Sequence, residues 1–244
     1  MTTPQGSPEE TRNMALLIDG DNAQPSLIAQ VLAETARYGT ITVRRIYGDW
    51  TTPQMSGWKS QLHTHAVQPV QQFRYTTGKN ATDSTLIIDA MDLLHSGMVG
   101  GFCIASSDSD YTRLATRIRE QGLYVMGVGM KQTPKSFVNA CEVFVYTENL
   151  AAEVKAGTAG QDDKDGTDWI ETVRKAIDTA AQEDGWASLG SVGTYIRHLD
   201  PAFDPRSFGH KQLSHLIASR PKLFKTKRFK TKEGSSHISV KLAG

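Results

Sequence analysis

The sequence predicts an α/β protein: a mostly parallel sheet covered on both faces by helices, followed by a smaller helical module with a basic two-stranded wing. Three observations carry the prediction. Up to Leu150, short apolar runs alternate with helix-like segments, and most of the runs are apolar throughout, as buried parallel strands are. Residues 151–167, AAEVKAGTAGQDDKDGT, are small, polar and glycine-containing, the composition of a flexible linker. Beyond them Trp169, Val173, Ile177 and Ala181 recur at four-residue intervals, the stripe of an amphipathic helix.

Taken in order, a polar leader (1–13) precedes MALLI (14–18), which reads as a buried strand, and a helical stretch from Pro25 to Tyr38. ITVRRIY (41–47) is a second strand, 56–65 a helix, and 66–72 a weaker strand containing a proline. Residues 83–96 place apolar side chains at 86, 87, 90, 93 and 94, which is helical spacing. There follow the strand GFCIA (101–105), a helix over 109–122 closed by Gly122, the strand LYVMGVG (123–129), a helix near 134–140 and a last strand, EVFVY (142–146). One domain is therefore expected over 14–150. After the linker, helices are expected over 168–185, 188–199 and 208–219, then a hairpin of 221–230 with 236–242 joined across TKEGS. Three helices and a wing make a compact winged-helix-like domain over 168–244.

The 244 residues carry a formal net charge of +1, but the balance is uneven. From Arg206 to Gly244 there are ten Lys/Arg and one acid, Glu233, an excess that favours a polyanionic partner. The only cysteines, Cys103 and Cys141, lie in apolar segments and read as buried, reduced thiols, not as a disulfide framework or zinc site. No run of about 18 apolar residues offers a membrane span, and the polar N-terminus has no signal-peptide core. A cytoplasmic protein is expected.

Acids cluster at the expected strand ends. The first strand ends in IDGDN (Asp19, Asp21, Asn22), the second in YGDW (Asp49) and the fourth in SSDSD (Asp108, Asp110), while Asp83 opens the helix after the third. Ligands of an open parallel sheet bind at the carboxyl ends of its strands, so residues distant in sequence arrive on one rim. Carboxylates gathered there repel one another unless a cation sits among them. Hard oxygen ligands suit Mg²⁺ or Mn²⁺. Asp and Asn at strand ends also cap helices and make turns, a reading that weighs most on Asp49 and then Asp21. Asp89 and Asp92, further along the Asp83 helix, read as structural or solvated.

Two other readings fall away. TTGKN (76–80) has the Gly-Lys of a phosphate loop without its first glycine or the following Ser/Thr. DGDN looks like the paired acids of haloacid-dehalogenase phosphatases, but Asn22 and Ala23 stand where a hydroxyl residue is expected. No Ser-His-Asp or Cys-His arrangement supports acyl transfer, and His63 and His65 read as ordinary histidines.

LLIDGDN, GKNATDSTLIIDAMDLL and IASSDSDYTRLATRIREQG, in that order and spacing, resemble the NYN domain, the LabA-like branch of the PIN-like nucleases. The resemblance implies a Rossmann-like three-layer fold with a divalent-metal site. It marks Asp19, Asp83, Asp108 and Asp110 as catalytic, metal-holding acids, with Asp21 and Asn22 alongside. Residues 168–242, through FDPRSFGHKQLSHLIASRPKLFK and the wing, are similar to the OST-HTH or LOTUS domain. That resemblance implies RNA binding in some members and docking of an RNA helicase in others.

The function expected from these readings is a metal-dependent ribonuclease using Mg²⁺ or Mn²⁺, acting on single-stranded or structured RNA. Lys79 and Arg113 are candidates for substrate phosphates near the acids, and Lys211, Lys225, Lys227, Arg228 and Lys230 for phosphate contacts in the C-terminal domain, with Phe224 and Phe229 interleaved. Alternation along a strand turns one of those phenylalanines into the core. The alternative is a non-catalytic adaptor that binds RNA or docks a helicase. A small-molecule phosphatase would leave the basic module without a purpose.

Overall fold

The computed structural model describes residues 12–73, 81–155, 168–230 and 236–243. The chain forms two compact units, one of Met1–Cys141 with Tyr146–Leu150 and one of Ala151–Gly244 with Glu142–Val145.

A six-stranded sheet of order β3-β2-β1-β4-β5-β6 has β1 at Asn13–Asp19, β2 at Thr40–Gly48, β3 at Gln68–Gln71, β4 at Gly101–Ala105, β5 at Tyr124–Gly129 and β6 at Val143–Tyr146, and its first five strands lie in the first unit. β1 pairs in parallel with both β2 and β4, β2 with β3, and β4 with β5. Leu16, Leu17, Phe102, Cys103, Ile104, Val125 and Met126 are fully buried, which is why these strands read as continuous apolar runs. Pro69 sits in β3, an edge strand, where a missing N–H is tolerated.

Helices α1 (Ile28–Ala36), α2 (Lys59–His65), α3 (Ala81–Ser96), α4 (Thr112–Glu120) and α5 (Lys135–Ala140) connect the strands, and α6 (Thr147–Lys155) follows β6. From β1 the chain steps outward to β2 and β3, then returns through α3 to β4 on the other side of β1. Right-handed connections put α1 and α2 on one face and α3, α4 and α5 on the other; α1 packs on α2 and α4 on α5 accordingly. The order therefore reverses between β1 and β4, and a crevice opens at their carboxyl ends.

The second unit consists of α7 (Asp168–Ala180), α8 (Leu189–Leu199), α9 (Leu213–Ala218) and a three-stranded antiparallel sheet of order β7-β9-β8, with β7 at Ala187–Ser188, β8 at Phe224–Lys230 and β9 at Ser236–Leu242. Its core gathers Trp169, Val173, Ile177, Val192, Ile196, Leu216, Ile217, Phe224 and Val240. Three details depart from the sequence reading. α7 stops at Ala180, because Gln182–Gly185 forms a turn in which Gly185 takes φ +77°. The helix expected over 208–219 begins only at Leu213: Gly209 is left-handed at φ 76° and Gln212 is extended. β7, two residues long, is too short to show a period.

Phe224 is 2% exposed and its ring lies 6.1 Å from that of Trp169. Phe224→Ala is expected to cost the second unit about 3–5 kcal/mol, read as a fall in the urea midpoint of its helical circular dichroism.

Candidate functional site

Asp19 is the last residue of β1 and is 0% exposed. The turn after it brings the chain close to its neighbours: a Cβ on Gly20 would lie 2.7 Å from the Tyr47 carbonyl oxygen and 2.6 Å from Met55 Cε, so no larger residue fits without displacement. Asp19 Oδ1 accepts from the Asp21 N–H (3.1 Å), and Oδ2 accepts from Asn22 Nδ2 (2.6 Å) and Ser106 Oγ (2.8 Å). Burial pushes the Asp19 carboxyl above the ordinary carboxylate range, the bonds from Asn22 and Ser106 pull it back, and the charge of Asp83 adds to the rise.

Ser106, immediately after β4, ties this buried acid to the next loop, since its Oγ also accepts from the Asp108 N–H (3.1 Å). Asp108 caps the short 3₁₀ turn Ser109–Tyr111, its Oδ1 accepting from the Asp110 N–H (2.9 Å). The capping reading and the ligand reading are thus compatible at this residue. From the first turn of α3, Asp83 accepts from the buried Tyr111 hydroxyl (2.7 Å). Burial raises the Asp83 pKa, the Tyr111 bond lowers it, and the charges of Asp108, Asp110 and Asp21 raise it further.

One carboxylate oxygen each from Asp83, Asp108 and Asp110 lies within 4.8 Å of the others. Among the described residues this is the one group of acids, histidines or cysteines spaced to share a metal ion, and no histidine joins it. The donor set fits a hard divalent cation. It is all carboxylate oxygen, its members repel one another, and Asp110 opens it to solvent. Asp19 is not in the three-residue group: it lies beneath, with both oxygens hydrogen-bonded. Asp21 and Asn22 stand on the turn between them.

The other acids resolve into separate roles. Asp49 Oδ1 accepts from the Thr51 N–H, the Thr51 hydroxyl and the Gln71 amide, a turn built on its own side chain. Asp89 accepts from the Arg45 guanidinium and the Tyr47 hydroxyl on β2, so it pins α3 to the sheet. Arg113 is exposed on the first turn of α4, three residues past Asp110, and Lys79 lies outside the described residues.

Sequence reasoning missed Ser106 and Tyr111. Tyr111 follows Asp110 directly and reads as one more apolar residue of the next helix, yet its hydroxyl is what Asp83 leans on. Tyr111→Phe removes that bond while keeping the ring. It is expected to cost about 1 kcal/mol of stability and to weaken Mn²⁺ binding several-fold, measured by calorimetric titration; unchanged Mn²⁺ affinity would show that the hydroxyl does not position Asp83.

In the second unit Lys211, Lys225, Lys227 and Arg228 are exposed and Lys230 ends β8. Phe224 is core and Phe229 is not. Strand alternation, anchored by buried Phe224 and Val240, turns Lys225 and Lys227 to the outer face and Arg228 to the inner one, out near the hairpin end.

The six-stranded, mostly parallel sheet with acids gathered where its order reverses is of the kind found in PIN/NYN folds. The chain belongs to the NYN domain family, whose model it matches over residues 13–149, and residues 167–236 match the OST-HTH/LOTUS domain. NYN domains are nuclease-like, and OST-HTH domains bind RNA. No curated protein matches the chain. Among solved structures it is similar to a protein of unknown function from Vibrio parahaemolyticus, at 15% identity and TM-score 0.49 over 58% of this chain and 96% of that one. An uncharacterized Nitrosomonas europaea protein shares 30% identity at TM-score 0.31 over 36% of this chain and 82% of its own. A Chromobacterium violaceum fragment shares 28% at TM-score 0.27 over 34% and 88%. No helix among the described residues is long and apolar enough to cross a membrane.

Proposed function

We propose that this protein is a divalent-metal-dependent ribonuclease whose C-terminal unit holds the RNA. The observation that carries the reading is the convergence of Asp83, Asp108 and Asp110 within 4.8 Å at the switch point of the sheet. These three residues would hold Mg²⁺ or Mn²⁺. An ion held by these residues would polarise a phosphoryl oxygen and make a water more acidic.

The chain's own groups do the rest. Asp19 and Ser106 fix the ends of β1 and β4 relative to each other, so the Asp108 loop is held before substrate arrives. Tyr111 holds Asp83 from below. Arg113 stands close enough in sequence to the acid pair to meet a phosphate on the open side, and Lys79 precedes Asp83 by four residues. Lys211, Lys225, Lys227, Arg228 and Lys230 supply positive charge for the RNA backbone, contacts that position without reading sequence.

The test is cleavage of an end-labelled, mixed-sequence RNA in Mn²⁺, Mg²⁺ or EDTA by wild type and by Asp108→Asn/Asp110→Asn. Metal-dependent cleavage confined to wild type supports the nuclease. Equal cleavage by both would sink the site. Tight RNA binding with no cleavage by either would favour an adaptor, such as one that docks a helicase.

A further inference from the structure

We infer that the outer face of the β8–β9 hairpin, together with Trp186, is a stacking platform for unpaired RNA bases. The inference rests on RNA being the ligand of the C-terminal unit, and it names where and in what form the RNA sits.

The face is defined by strand register. Lys225 pairs with Lys241, Lys227 with the buried Ser239, and Phe229 with His237, all on the side opposite the core residues Phe224 and Val240. No acid occupies any of these six positions. Phe229 and His237 stack across the strands, ring centroids 5.5 Å apart and planes 13° apart, and Trp186 meets Phe229 edge-on at 6.2 Å. Lys227 Nζ lies 4.8 Å from the centre of the Phe229 ring. Trp186 reaches this side because it precedes Ala187, which is turned into the core opposite Val240.

None of the three rings belongs to the core on the inner face, and His237 is exposed. Three aromatic rings edged by cations on an antiparallel ribbon match what an unpaired strand presents. Every base offers a π-face, and the phosphates between bases need positive charge. A duplex keeps its base faces stacked inside and presents only backbone and groove edges, so it gains nothing from the rings. An acidic peptide would be satisfied by the lysines alone.

The experiment uses the full chain in EDTA, which separates binding from any cleavage. Fluorescence anisotropy is read over a salt series with a mixed-sequence single-stranded RNA, the same length of abasic RNA, and a duplex. Wild type is expected to prefer intact over abasic strands by about tenfold, and Phe229→Ala to lose about tenfold on the intact strand and hence the preference. Its salt slope should stay that of wild type. Lys227→Gln should instead flatten the slope by about 0.7 while keeping the preference for bases. Phe229→Leu, which keeps apolar bulk for packing, should behave like Phe229→Ala, so that loss of the fold is not mistaken for loss of the platform. Equal binding of intact and abasic RNA by wild type, or unchanged affinity in both Phe229 variants, would overturn the platform and leave RNA binding standing. Failure of wild type to bind any RNA would overturn both, and loss in Lys227→Gln alone would mean a charge contact only.

Discussion

Asp108→Asn/Asp110→Asn is expected to lower metal-dependent RNA cleavage by about a thousandfold. A metal's stabilisation of developing phosphoryl charge is worth several kcal/mol, and about 4 kcal/mol is a factor of a thousand in rate. Two of the three convergent oxygens come from these residues. The substitution should leave RNA affinity in EDTA intact or tighten it, because two negative charges leave a rim that otherwise repels a polyanion. The Asp108 cap survives, since an asparagine oxygen also accepts from the residue-110 N–H. Loss of cleavage together with loss of RNA binding would mean that the variant had damaged more than the metal centre.

The second large effect is a reversal of stability between wild type and Asp83→Asn. Burial and the charges of Asp108, Asp110 and Asp21 raise the Asp83 pKa above that of the unfolded chain. The folded protein then retains this proton over a window in which the unfolded chain has lost it. The stability linked to the group is fully present below the unfolded carboxylate's pKa and is lost as pH rises through the folded one. Asparagine keeps the acceptor for Tyr111 and has nothing to ionise. Without metal at neutral pH, Asp83→Asn should therefore melt higher than wild type, and the gain should vanish below about pH 4. Mn²⁺ held by these acids, at a hundred times its Kd, would stabilise wild type by about 2.7 kcal/mol, and the variant should lose most of that. The two melting curves therefore change order when metal is added. Scanning calorimetry at two pH values, in EDTA and in Mn²⁺, tests this; equal shifts in both proteins would place the ion elsewhere.

A third consequence concerns cysteine chemistry. Burial pushes the Cys103 thiol up to about 12 despite the hydrogen bond from Thr35 Oγ1 at 3.3 Å, which lowers it, so it stays protonated and inert at neutral pH. It is a core residue, in keeping with its place in β4.

Most of the architecture was legible in the chain. Buried strands announce themselves as apolar runs, and helices by their period, because local covalent spacing decides which side chains share a face. The placement of acids at strand ends was equally visible, and parallel topology turns strand ends into one rim. Residues with several competing local roles were not separable in this way. Asp19, Asp83 and Asp108 all look like an acid after an apolar run or before a helix, whereas Asp49 already read as a turn residue and is one. Packing alone buries Asp19 under Asn22 and Ser106 and brings Asp83 across from α3 to Asp108 and Asp110. Likewise, alternation in KLFKTKRFK said that Phe224 and Phe229 face opposite ways, but only Trp169 and Val240 decide that Phe224 is the one inside. By itself, then, the sequence determined the elements, their order, the acids and the basic wing. The tertiary structure alone decided which acids meet, which hydroxyl supports them and which ring faces solvent. The reason is physical: propensity and period are properties of neighbours along the chain, whereas desolvation and charge repulsion depend on what the rest of the chain brings within a few ångströms.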